Sequence, residues 1–81
     1  MLIHIEKRVD GVTLESRPYD VTPDGIRGLL QGLQPSITTV RGGTWVVHAP
    51  ERTLQLLGAT HVDSVWGFEV GRWWVPAEVT T

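Results

Sequence analysis

A chain of 81 residues has room for a single domain, with little spare core in which to shape a deep pocket. It contains no cysteine, which excludes disulfide staples, thiolate zinc sites and a cysteine nucleophile. Seven basic residues against nine acidic ones leave a net charge of -2, without the broad positive field that drives most nucleic-acid binding. Met1 to Arg8 alternates like a strand and lacks the basic start and long apolar run of a signal peptide. No apolar run approaches the ~20 residues of a membrane span, so a soluble, cytoplasmic protein is the expectation. One Lys against six Arg, and no Asn, point to GC-rich coding sequence of the kind carried by actinobacteria and their phages.

The first expected element is a hairpin. Ile3, Ile5 and Val9 alternate with His4, Glu6 and Arg8, Lys7 interrupts the apolar set, and Asp10-Gly11 is a strong two-residue turn. That turn predicts Val9 opposite Val12, Arg8 opposite Thr13, Lys7 opposite Leu14, Glu6 opposite Glu15 and Ile5 opposite Ser16. The face bearing Glu6 and Arg8 reads as solvated.

Thr22-Pro23-Asp24 signals a helix start, with Thr as cap, Pro at the first helical position and an acid near the positive end of the dipole. Ile26, Leu29, Leu30 and Leu33 then form one apolar stripe, ended by Gln34-Pro35. Gly28 and Gly32 lie beside it and are expected to pack on the domain's own sheet, a partner helix being the sharper alternative. A second hairpin is expected from Ile37 to Arg41 and from Thr44 to Ala49, turning at Gly42-Gly43, a turn favoured over an anion-binding loop. Pro50-Glu51 opens a short helix through Leu54, Leu56 and Leu57 to Gly58.

Residues 62–70 read as one strand, with Val62, Ser64, Trp66, Phe68 and Val70 on one face. Gly71-Arg72 turns it into Trp73-Trp74-Val75, and Pro76 ends the last strand or marks a sheet edge. The reading is one α+β domain over residues 1–76 with a short tail over 77–81. Its expected order is ββα-ββα-ββ, a mainly antiparallel sheet with two short helices packed on one face.

The chain carries no phosphate loop, GxGxxG, GxSxG or HExxH motif. His48, Glu51, His61 and Asp63 would make a metal or acid–base site only if their segments met. The tryptophans are more informative: three of the four fall between residues 66 and 74. Trp66 and Trp73 are expected on the core side. Trp74 is expected on the other face, opposite Glu69 and diagonal to Gly67. There it either covers bare glycine backbone or, with Arg72, anchors a partner.

The functional expectation is a small non-catalytic protein-binding module, an accessory protein of a phage or actinobacterium that modulates a larger host protein. Trp74, Arg72, Glu69 and Trp73 would form its contact surface, with no cofactor and no metal. Self-association through an edge strand is compatible with it. A single-stranded nucleic-acid binder using Arg41, Arg72 and exposed tryptophans is the first alternative. A small metal-dependent enzyme is the last.

Overall fold

The computed structural model describes residues 1–38 and 41–80. Six strands form one sheet in the order β2-β1-β3-β6-β5-β4. The strands are β1 (Leu2–Val9), β2 (Val12–Asp20), β3 (Gly43–Pro50), β4 (Thr60–Val62), β5 (Val65–Val70) and β6 (Trp73–Thr80). Every neighbouring pair is antiparallel except β3 and β6, which run parallel. The α+β class and the mainly antiparallel sheet are those expected from the sequence.

Helices α1 (Ile26–Leu33), α2 (Pro35–Thr38) and α3 (Glu51–Leu56) supply the second layer. Ile26 and Leu30 of α1 and Leu54 of α3 are buried with Ile3, Ile5, Val47, Phe68 and Val75 of the sheet. The period-3.6 stripe and the period-2 strands thus meet in one core. The Trp45 indole N–H donates to the carbonyl oxygen of Leu33 at 3.0 Å, so a large buried ring keeps its polar group satisfied at the end of α1. Lys7, the interruption in the apolar set of β1, lays its ammonium group over that same ring.

The Thr22 hydroxyl accepts a hydrogen bond from the Gly25 N–H three residues on, as an N-cap does, although regular helix begins only at Ile26. Gly28 and Gly32 do not pack on the sheet. A Cβ added at either would meet open space, so the small-residue stripe faces solvent.

Several local expectations are corrected. Asp10 and Gly11 both take positive φ, as a type I′ turn needs, and Val9 pairs with Val12. Beyond Thr13, however, Leu14 is an extra residue, so Lys7 pairs with Glu15, Glu6 with Ser16 and Ile5 with Arg17. The bulge removes the opposition of Glu6 and Glu15.

Among the described residues, no strand from Ile37 to Arg41 pairs with β3. Ile37 and Thr38 belong to the helical turn α2, residues 39 and 40 lie outside the described residues, and β3 pairs with β1 and β6 instead. A pattern of adjacent apolar residues, Val46 and Val47, marks a central strand buried on both faces, not half of a hairpin. The long strand expected over 62–70 is broken at Asp63-Ser64, both at positive φ, into β4 and β5.

The expected tail is no tail. Ala77 to Thr80 continue β6 alongside β3, from Val47↔Ala77 to Pro50↔Thr80. Pro76 does not end this strand. Counting from the Gly71-Arg72 turn, it falls at a position whose N–H would point away from β5, and the ladder to β3 begins one residue later.

The two edges differ from the centre. β4 has three residues, and β2 carries the bulge, Pro18 and the charges Glu15 and Arg17, devices that blunt an edge.

Candidate functional site

The helices cover one face of the sheet and leave the other bare. On the bare face lie two groupings of side chains, one charged and central, the other aromatic and at the end of the β5–β6 hairpin.

The central grouping is built on Glu6, which is only 5% exposed although its face was expected to be solvated. Its burial follows from strand order: β3 docks beside β1, making β1 an interior strand. Arg8 Nε donates to Glu6 Oε2 at 3.0 Å and Arg8 Nη2 to Oε1 at 2.9 Å, a two-pronged ion pair between positions two apart on one face. The Thr13 hydroxyl donates to Oε2, and His48 Nε2 donates to Oε1 at 2.6 Å from β3. Four donated bonds hold the Glu6 carboxyl down at about 2, Arg8 being the largest cause and Thr13 next, against the opposing effect of burial. The same pairing raises the Arg8 guanidinium above its ordinary value.

Arg8 Nη1 reaches on to Glu78 Oε2 of β6 at 3.3 Å, and His48 Nδ1 lies 3.7 Å from Glu78 Oε1. One network therefore ties β2, β1, β3 and β6. Beneath it Val46, paired with Glu6, is 1% exposed. All these groups are satisfied, and no buried side-chain nitrogen or oxygen among the described residues lacks a partner. The network braces the sheet and leaves none of its buried donors or acceptors without a partner.

Sequence reasoning missed this grouping. Glu6 and Arg8 read as a solvated face and His48 as a candidate for a different cluster, and only the β1–β3 register (His4↔His48, Glu6↔Val46) brings them together.

The residues His48, Glu51, His61 and Asp63 are not brought together. His48 is held by Glu6 and Glu78 on the bare face, while Glu51 is exposed at the start of α3. His61 stacks on Trp66, ring centroids 4.4 Å apart, on β4, with two strands between it and β3. Asp63 sits in the β4–β5 turn. Among the described residues no group of three or more His, Asp or Glu side chains is placed to hold a metal ion.

The second grouping is where the sequence placed it. Glu69 pairs with Trp74, Phe68 with Val75 and Val70 with Trp73, the register expected from the Gly71-Arg72 turn. Gly71 alone takes positive φ there, the pattern of a type II′ turn. Trp66 and Trp73 pack against the core, and Trp74 lies on the bare face with its ring over Gly67. A Cβ at residue 67 would overlap Cζ2, Cε2 and Cη2 of that ring, so the glycine is required for Trp74 to lie flat. Covering Gly67 occupies one side of the indole, and Trp74 keeps 37% of its surface exposed.

Glu69, Gly71, Arg72, Trp73 and Trp74 line a shallow, open cleft of about 270 Å³. Arg72 and Glu69 are exposed and form no ion pair or side-chain hydrogen bond among the described residues. Arg41 precedes β3, which runs parallel to β6, so it stands at the same end of the sheet as Arg72.

The chain matches no protein-family model, and comparison with curated proteins and with solved structures gives no significant match. No described helix is long and apolar enough to cross a membrane.

Proposed function

We propose that this protein is a non-catalytic protein-binding module whose contact surface is the open end of the β5–β6 hairpin. The observation that carries the reading is the cleft of about 270 Å³ lined by Glu69, Gly71, Arg72, Trp73 and Trp74. Tryptophan and arginine dominate the energetics of protein interfaces because each brings a large, nearly planar group that tolerates desolvation. Here a Trp ring held flat on Gly67 is pre-oriented, so little side-chain entropy remains to be lost on binding. Arg72 and Glu69 lie beside it, unpaired with each other or with any described residue, and are available to charges on a partner. Such a module acts by occupying a surface of a larger protein, in keeping with an accessory protein of a phage or actinobacterium.

The decisive experiment is affinity capture with wild type beside two folded charge reversals, Arg72→Glu and Glu69→Arg, followed by reconstitution of any purified pair. A protein held by wild type and lost by the reversals supports the reading. Equal capture by all three, or no partner of any kind, a second copy of this chain included, removes it.

The placement of Arg41, Arg72 and Trp74 at one end of the sheet favours single-stranded nucleic acid as the second reading. Glu69 and Asp10 at that same end oppose phosphate binding. Binding to oligonucleotides that weakens steeply with salt would replace the first reading by this one.

A further inference from the structure

The bare face carries a charge pattern along β6 that is its own complement. Trp74, Pro76 and Glu78 alternate onto this face, as shown by their neighbours Glu69, Gly67 and His48. Arg72, in the turn, lines the same cleft as Trp74. The strand therefore presents a cation, an indole, a proline ring and an anion in order, the two charges about 20 Å apart at the rise of an extended chain.

A two-fold axis lying between the two sheets, parallel to their planes and perpendicular to β6 at Val75, would place each Arg72 over the partner's Glu78. It would also lay each Trp74 on the partner's Pro76. Closed two-fold dimers require a patch that is complementary to itself, and this one is. Glu78 is about half exposed, and the one bond it accepts, from Arg8, leaves acceptor capacity on the carboxylate.

We infer that the bare face of the sheet binds a second copy of this chain, β6 packed antiparallel over β6, through Trp74–Pro76 contacts flanked by reciprocal Arg72–Glu78 pairs. This inference rests on the reading of the hairpin as a protein-binding surface and names its partner. A molecule of 31 × 26 × 24 Å has a broad face of at most about 800 Å², the per-partner size of an ordinary interface. Most of that face is polar, so the dimer is weak, with a dissociation constant in the micromolar range or above.

Sedimentation equilibrium of wild type from about 10 μM to 1 mM reads that association directly. The expected result is a monomer–dimer equilibrium weakened at least 10-fold by Arg72→Glu and restored toward wild type in the swapped double variant Arg72→Glu, Glu78→Arg. Because Glu78 also braces the sheet, the double variant is paired with a measurement that leaves it intact. The chain lacks cysteine, so Thr44→Cys on the bare face or Gln55→Cys on α3 gives a single site for a spin label. Mixed with unlabelled, nitrogen-15 protein, the label at residue 44 should broaden amides of β6 and β5, and the label at residue 55 should not.

A wild type that stays monomeric throughout, or an Arg72→Glu variant that dimerises as well as wild type, overturns the inference. Monomeric wild type that still captures a different protein through Arg72 removes the second copy as partner and leaves the binding reading standing. Loss of both removes both.

Discussion

The two faces of the sheet use opposite means to exclude water. On the covered face Ile5, Val47, Phe68 and Val75 meet Ile26, Leu30 and Leu54 in an apolar core whose buried Trp45 N–H is satisfied by the Leu33 carbonyl. On the bare face no helix supplies a lid, and Val46 is buried instead under an ion-paired network of Glu6, Arg8, His48 and Glu78. Burial in this small domain therefore has two sources. One is the hydrophobic effect acting across layers, and the other is long charged side chains lying over their neighbours. The outer end of the bare face has neither cover, and there the Trp74 cleft opens.

Damage to the covered face has the largest expected effect. Phe68→Ala should cost about 3–5 kcal/mol, enough to unfold much of the population of a domain this small, as read by thermal melting followed by circular dichroism.

On the bare face Glu6→Gln should cost less, about 2 kcal/mol, by leaving Arg8 without its two-pronged partner while solvent reaches part of the guanidinium. The joint replacement Glu6→Leu, Arg8→Met should recover most of that loss, since it removes both charges together. If the double variant is as unstable as the single one, the network does more than satisfy its own members. Acid tests the same group without mutation. The Glu6 carboxyl is held at about 2 when folded against 4.5 for its ordinary value. The unfolded chain therefore takes up the proton first as pH falls. The stabilisation is complete above about pH 4.5 and is lost progressively down to about pH 2, a window visible in urea midpoints.

Gly67→Ala probes the junction of the two groupings. A methyl group there must displace the Trp74 ring, at an expected cost of about 1–2 kcal/mol together with a shift in tryptophan fluorescence. The smallest effects have the opposite sign. Gly28→Ala and Gly32→Ala place a methyl in open space on a helix and should each stabilise by about 0.5–1 kcal/mol, leaving both faces of the sheet unchanged.

The candidate contact surface was legible before the structure because it is local. The Gly71-Arg72 turn fixes the register of two adjacent strands, and that register decides that Trp73 points inward and Trp74 outward over Gly67. The turn at Asp63-Ser64 was not legible, since neither residue is glycine and positive φ at both is uncommon. The Leu14 bulge left no signal either, because Thr13-Leu14-Glu15 keeps an acceptable strand pattern with or without the extra residue.

By itself the sequence determined the class, the first and last hairpins, the apolar stripe of α1 and the residues around Trp74. Each follows from interactions between residues close along the chain, where turn chemistry and periodicity act directly. The tertiary structure alone decided that the C-terminal residues fill the centre of the sheet, parallel to β3. It likewise decided that Glu6 meets His48 and Arg8 meets Glu78 across gaps of 42 and 70 residues, where pairing depends on how whole strands dock.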